Sequence, residues 1–178
     1  MNLVQPIRDP EQIQQLKEYF KEKSLRNYIL FIMGINTGLR ISEILKLKVG
    51  DVKGSHISMR EMKTGKQKRM KITAVLKREL KWFIEEREDN EYLLKSRQGR
   101  NRSIGRSMAY KILSRAAVYF GLDEIRTHTL RKAYWYHMYM QTKTLLMEIF
   151  NHSSEKVTLR YIGINQDAID KAMTRFKI

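Results

Sequence analysis

The sequence predicts a mainly α-helical protein with one small antiparallel β-sheet (an α+β class), and three observations lead to that class. Apolar residues recur at helical spacing over most of the 178 residues, whereas the alternation typical of strands is confined to residues 52–73. Only two prolines and nine glycines interrupt the chain. A hydrophobic fraction of 42% supplies enough apolar side chain for a core. The chain is therefore expected to fold as a single globular domain over residues 1–178.

The first three helices are marked by capping and stop signals. Asp9-Pro10 is typical of a helix start, and apolar residues then recur on one face to about Lys23. Ser24 begins a second helix that is apolar nearly all round, so we expect it to be buried, and Gly38 stops it. A short third helix is predicted from Ile41 to Leu47.

The β region is predicted between Val52 and Thr73. Apolar and polar residues alternate there, on both sides of the turn-like Thr64-Gly65-Lys66. This pattern fits an exposed hairpin or a three-stranded sheet.

Helical spacing resumes at Thr73 and fades in the charged stretch 85–91. Ser103 is predicted to open the next helix, which Gly121 closes. Further helices are predicted over Thr129 to Met140, Thr144 to Phe150, Ser154 to Ile162 and Asn165 to Phe176. No internal repeat or domain boundary is visible.

The charge balance indicates a polyanionic partner. Lys plus Arg number 35 against 19 Asp plus Glu, a net charge of +16, and the isoelectric point is near 10.1. Nucleic acid is favoured over a membrane surface because no helix pairs a strongly basic face with a broad aromatic one. No signal peptide or membrane span is legible, so we expect a soluble protein that stays in the cytoplasm.

Several kinds of chemistry are unsupported by the sequence. The chain has no cysteine, which excludes disulfides, thiolate metal sites and cysteine nucleophiles. The four histidines lack metal-ligand spacing, and neither a Gly-rich phosphate loop nor a nucleophile elbow is present. We therefore expect no metal and no cofactor.

Four segments place cations or titratable groups at element boundaries, where a scaffold can present them. They are Thr37-Gly38-Leu39-Arg40-Ile41-Ser42-Glu43, the basic turn Met62 to Arg69, His128-Thr129-Leu130-Arg131, and Asn151-His152-Ser153-Ser154 followed nine residues after His152 by Tyr161. Glu43 is spaced to hold Arg40, and Leu130 is expected to face the core. Each segment alone is more often a solvated surface or a core edge than a site.

In this order and with these gaps, the segments resemble the catalytic domain of the tyrosine recombinases, the phage integrase family. The resemblance runs from about Gln5 to Ile178. Asn151 replaces a common Gly, and Lys132 stands where many relatives have a second His. The family's separate N-terminal DNA-clamping domain is expected to be missing, so the chain is expected to be either a minimal recombinase or an excised catalytic fragment.

The resemblance implies a site-specific recombinase that cleaves and rejoins DNA without metal or ATP. Arg40 and Arg131 would neutralise the scissile phosphate, and Tyr161 would form a 3′-phosphotyrosine. Lys63 would protonate the leaving 5′ oxygen, His128 would manage the tyrosine proton, and His152 would hydrogen-bond the phosphate.

Partners follow from the same resemblance and from the basic clusters. Double-stranded DNA is expected to contact Lys66, Lys68, Arg69, Lys71, Arg100, Arg102 and Arg106. A core over residues 5–163 is expected to carry a docking helix over 165–178, through which four copies assemble on DNA. The host is expected to be prokaryotic or a phage. Two alternatives stay open: a non-catalytic DNA-binding module with the same fold, and a relaxase similar to type IB topoisomerases.

Overall fold

The computed structural model describes residues 5–60, 67–122, 125–142, 159 and 162–164. The described elements are α1 (Pro10–Lys23), α2 (Leu25–Thr37), α3 (Ile41–Ile44), α4 (Val49–Lys53), β1 (His56–Arg60), β2 (Gln67–Lys71), α5 (Ala74–Ile84), α6 (Arg106–Tyr119) and α7 (Thr127–Thr142). Strands β1 and β2 pair antiparallel, with His56 opposite Lys71 and Arg60 opposite Gln67. The predicted class, mainly helical with one small antiparallel sheet, is confirmed.

Helix α2 lies at the centre of the fold, as its all-round apolar sequence predicted. Its residues from Tyr28 to Gly34 are buried, and it packs against α1, α5 and α7. The crossing with α7 is close at Gly34, where an added Cβ would lie 2.6 Å from Cδ1 of Leu130. Leu130 is 1% exposed and so faces the core as expected. This crossing brings the start of α7 beside the end of α2.

Local capping explains several of the predicted boundaries. The Asp9 side chain accepts a hydrogen bond of 2.9 Å from Glu11 N, and Pro10 is the first helical residue of α1. Thr73 caps α5 through a 3.2 Å hydrogen bond from Leu76 N. Ser24 is the N-cap residue of α2, although its hydroxyl makes no capping bond.

Four boundaries differ from the sequence prediction. Val52, where the β region was predicted to begin, lies instead in the helix Val49–Lys53, which Asp51 caps by accepting from Lys48 N at 2.8 Å. Ser103 does not open α6: it pairs with Lys95 in a β-bridge, and α6 begins at Arg106. Helix α3 ends at Ile44 rather than Leu47. Helix α7 starts at Thr127, two residues earlier than predicted.

The helices predicted over 144–150 and 165–176 lie outside the described residues, as does most of the one over 154–162. None of the described helices has the length and apolar composition needed to cross a bilayer.

Gly38 supports a prediction about stability. Its φ of +58° is left-handed, and an added methyl would overlap Cδ1 of Tyr134 and lie 3.0 Å from Cε2 of Trp135. The backbone strain costs about 1–2 kcal/mol and the crowding a further ~1–3 kcal/mol. Gly38→Ala should therefore lower the free energy of unfolding by about 2–5 kcal/mol, measured by urea denaturation.

Gly121 offers the matched control. Its φ is +62°, yet an added Cβ would meet nothing within 4 Å. Gly121→Ala should therefore show only the backbone cost of about 1–2 kcal/mol. Equal losses in the two variants would contradict the crowding between Gly38 and α7.

Candidate active site

The turn between α2 and α3 holds Arg40 in place. Gly38 ends α2 in the left-handed conformation, and Arg40 is the N-cap residue of α3. Glu43, only 3% exposed, accepts from Arg40 N at 2.7 Å and from Arg40 Nη1 at 3.1 Å. Because both carboxylate oxygens are used, the guanidinium is fixed at the surface of the turn, with the Arg40 side chain 35% exposed. The predicted role of Glu43 in holding Arg40 is confirmed.

The first turns of α7 carry the second group of candidate residues. Thr129 is buried and its hydroxyl accepts from Arg126 N at 3.0 Å, which fixes the start of the helix. Arg131 is 7% exposed and donates through Nη1 to the carbonyl oxygen of Gly38. Its Cζ lies 6.0 Å from the centre of the Trp135 ring. Arg131 therefore ties α7 directly to the turn that presents Arg40.

A cleft of about 630 Å³ opens where these elements meet. It is lined by Arg40, Ile41, Ser42, Arg106, Ser107, Tyr110, Lys111, Thr127, His128 and Arg131. Four of these ten side chains are permanent cations, and none is acidic. A phosphodiester matches such a cleft, because guanidinium groups donate to two phosphate oxygens in one plane.

The surroundings of His128 keep its imidazole neutral. Partial burial lowers its pKa below the ordinary 6.5, and the cations of Arg131, Lys132 and Arg40 lower the pKa further. Lys132 itself is 7% exposed, and burial lowers its pKa too. At neutral pH the His128 ring is thus an acceptor of a proton rather than a cation.

This electrostatic arrangement predicts the titration of His128. The ring should protonate only below pH 6.5, and Lys132→Met should raise its pKa because one of the repelling charges is removed. Following the His128 Cε1–H chemical shift against pH by NMR measures both. Lys111→Met is the control, because Lys111 lines the same cleft but is not among the cations that lower this pKa. A midpoint above 6.5 in the unaltered protein would refute the arrangement.

Trp135 also belongs to an apolar cluster that includes residues 159, 162 and 164. Trp135 and Ile162 are 2% and 0% exposed and form one apolar cluster, with Leu159 and Ile164 packed against it. Tyr134, Met138 and Tyr139 also pack there, as expected for apolar positions of α7. The residues on both sides of positions 160 and 161 are therefore docked on the helix that carries His128 and Arg131.

The structure brings together three of the six predicted catalytic residues: Arg40, His128 and Arg131. The other three, Lys63, His152 and Tyr161, lie outside the described residues, as does Lys66. Among the predicted DNA contacts, Arg69 and Lys71 are exposed on β2, and Arg100 and Arg102 are exposed in the loop before α6. Lys68 is on β2, but its side chain is not among the described parts. Arg106 is exposed and also lines the cleft.

Ser107, Tyr110 and Lys111 line the cleft but were missed by the sequence reasoning. Together with Arg106 they occupy positions i, i+1, i+4 and i+5 of α6, which is one face of a helix. The sequence does show this polar and basic face. However, the predicted helix began at Ser103, and nothing in the sequence indicated that the face lies beside Arg40 and Arg131.

The sequence has relatives among known proteins. The sequence matches the model of the Phage integrase family over residues 8–167. It is 47% identical to a probable integrase/recombinase, YoeC, of Bacillus subtilis, over 99% of this chain and 98% of that protein. It is 25% identical to the tyrosine recombinase XerA of Pyrococcus furiosus over 93% of this chain, and it spans 59% of XerA.

Solved structures share the fold. The XerA recombinase gives a TM-score of 0.73 at 20% identity, over 98% of this chain and 67% of that one. The XerH recombinase, in a post-cleavage complex with its difH substrate, gives 0.71 at 21% identity, over 98% of this chain and 54% of that one.

Proposed function

Because the chain belongs to the phage integrase family, we propose that it is a site-specific recombinase that cleaves and rejoins double-stranded DNA through a 3′-phosphotyrosine. The observation that carries this proposal is the meeting of Arg40 and Arg131 in one cleft, with Arg131 bonded to the Gly38 turn that presents Arg40. Two guanidinium groups held in this way suit the charge that develops on a phosphate under attack.

The first step transfers a phosphoryl group. The phenolic oxygen of Tyr161 forms a bond to phosphorus, and the bond between phosphorus and the 5′ oxygen breaks. His128, neutral through its lowered pKa, accepts the tyrosine proton, and Lys63 gives a proton to the leaving oxygen. His152 hydrogen-bonds a phosphate oxygen. The reverse step, in which the 5′ hydroxyl of another strand attacks, reseals the DNA.

DNA would lie across the face that holds the cleft. Arg106 continues that face from the cleft along α6, and Arg100 and Arg102 precede it in the chain. Further phosphate contacts would come from the basic residues around β2, which are Lys66, Lys68, Arg69 and Lys71. In this proposal residues 1–178 form one catalytic domain, four copies assemble on two duplexes, and residues 165–178 dock on a neighbouring copy.

A nicked suicide substrate tests the function. The nick lets the short fragment that carries the freed 5′ hydroxyl diffuse away after cleavage, so the covalent complex should accumulate and survive denaturation. A complex of protein and DNA resistant to detergent supports the strand-transfer chemistry, and its absence at saturating DNA would favour the non-catalytic DNA-binding module. Joining of two labelled duplexes, rather than relaxation of a supercoiled circle alone, would separate a recombinase from a relaxase.

A further inference from the structure

The N-terminal segment, residues 5–8, lies over the far half of α7. Pro6 and Ile7 are buried, and the His137 ring donates through Nε2 to the carbonyl oxygen of Ile7 at 2.9 Å. The guanidinium of Arg8 sits 5.7 Å from the centre of the Tyr136 ring. The segment is thus attached to α7 at positions well beyond Arg131.

Arg8 also reaches the segment that follows Tyr161. Its Nη2 donates to Gln5 Oε1 at 2.8 Å and to the carbonyl oxygen of Gly163 at 3.3 Å. Gly163 has a φ of +84°, and an added Cβ would lie 3.1 Å from both Gln5 Oε1 and Pro6 Cδ. The two stretches of chain therefore approach so closely at Gly163 that an added methyl group would force its neighbours to shift by a few tenths of an ångström.

We propose that Arg8 is a positioning residue for the nucleophile, because its guanidinium fixes Gly163, two residues after Tyr161. The role rests on the proposed function, in which Tyr161 attacks the phosphate. Ile162, between Tyr161 and Gly163, is fully buried against Trp135. The side chain of Ile162 is thus held by its apolar contact with α7. The carbonyl group of Gly163 is held by the hydrogen bond from Arg8.

The geometry separates this role from substrate binding. Arg8 contacts Tyr136 and Gly163, whereas the cleft is lined from the other end of α7 by Thr127, His128 and Arg131. Loss of Arg8 should therefore leave the phosphate-binding cations in place and loosen only the segment that carries the nucleophile. A misplacement of about 1 Å at a reacting group costs on the order of 100-fold in rate.

The test compares single-turnover cleavage of the nicked substrate by Arg8→Ala, Arg8→Lys and the unaltered protein. In Arg8→Ala the rate constant at saturating DNA should fall about 10- to 100-fold, with half-saturation unchanged. Arg8→Lys keeps a donor and a charge, so it should recover part of the rate. Arg78→Ala, which removes an exposed cation from α5, is the control for net charge.

A second variant probes the same contact without altering Arg8, and a second readout probes it without measuring cleavage. Gly163→Ala crowds Gln5 and Pro6 and should lower the rate constant in the same way as Arg8→Ala. Hydrogen exchange followed by mass spectrometry should show faster exchange in the peptide around 159–164 of Arg8→Ala. Peptides from the start of α7, residues 127–131, should keep their protection.

The outcomes distinguish this inference from the proposed function. If the unaltered protein forms the adduct and both Arg8→Ala and Gly163→Ala match its rate constant, the positioning role is overturned and the recombinase function stands. A loss in DNA affinity that accounts for the whole effect, or lost protection along all of α7, would also overturn it. Absence of the adduct in the unaltered protein overturns the proposed function and, with it, the role of Arg8.

Discussion

Removing the phenolic oxygen of Tyr161 should abolish covalent attachment of the protein to a nicked DNA substrate. Tyr161→Phe keeps the aromatic ring but leaves no atom that can bond to phosphorus. Adduct formation should fall by at least about 1,000-fold, as expected when a nucleophile is deleted. DNA affinity and thermal stability should stay close to those of the unaltered protein. The adduct is measured on a denaturing gel with labelled DNA.

The prediction depends on the choice of Tyr161 among nine tyrosines. Tyr161 follows His152 by nine residues, and the neighbouring Leu159 and Ile162 pack on the helix that presents His128 and Arg131. Tyr134 and Tyr139 are engaged in the same apolar cluster. Burial raises the pKa of Tyr134, which makes it a poorer source of phenolate.

Tyr110 is the matched control, because this tyrosine lines the cleft that holds Arg40 and Arg131. Tyr110→Phe removes the same atom from the same cleft and should leave adduct formation within a few-fold of the unaltered protein. Mass spectrometry of the digested adduct should place the DNA on the peptide that contains Tyr161. An adduct that persists in Tyr161→Phe and disappears in Tyr110→Phe would assign the nucleophile to α6 instead.

The sequence predicted the parts of the fold that depend on local chemistry. These parts are the start of α1 at Asp9-Pro10, the apolar helix α2 and its end at Gly38. Each depends on interactions between residues close in the chain, and the structure confirms each of them. The ion pair between Arg40 and Glu43 spans three residues and was predicted for the same reason.

The errors come from contacts between residues distant in the chain. Ser103 is a good helix cap by composition, but it pairs with Lys95, and Ile104 N donates to Leu94 O at 2.9 Å, so the helix begins later. Burial of Arg131 against Gly38 joins residues 93 positions apart, which spacing along the sequence does not reveal. The same holds for the contact between Arg8 and Gly163. Nothing in the sequence around Arg8 indicates that its guanidinium binds a carbonyl group so far along the chain.

Replacing the leaving 5′ oxygen of the DNA by sulfur should restore cleavage to Lys63→Ala but not to Arg131 variants. Lys63→Ala should slow cleavage of ordinary DNA by about 100- to 10,000-fold, the usual contribution of a general acid. A thiol is a far stronger acid than an alcohol, so a thiolate departs without a proton donor. A general acid is then not required, so Lys63→Ala should cleave the sulfur substrate at nearly the rate of the unaltered protein.

In the proposed mechanism Arg131 supplies charge rather than a proton, so sulfur should not help its variants. Arg131→Ala also leaves the Gly38 carbonyl without its donor, which disturbs the turn that presents Arg40. Arg131→Lys is therefore measured beside it, because it keeps a positive charge while losing the planar fork. Both should cleave the oxygen and sulfur substrates with the same large defect, compared as single-turnover rate constants.

Lys66→Ala is the control for Lys63→Ala, since it removes an identical charge three residues further along the same basic segment of the sequence. At saturating DNA, where a weaker phosphate contact does not limit the rate, it should cleave the oxygen substrate at close to the unaltered rate and gain nothing extra from sulfur. If Lys66→Ala shows the defect that sulfur rescues and Lys63→Ala does not, the acid is Lys66. Equal rescue of Lys63→Ala and Arg131→Lys would contradict the division of labour itself, because a group that only stabilises charge on the non-bridging oxygens is needed whichever atom leaves.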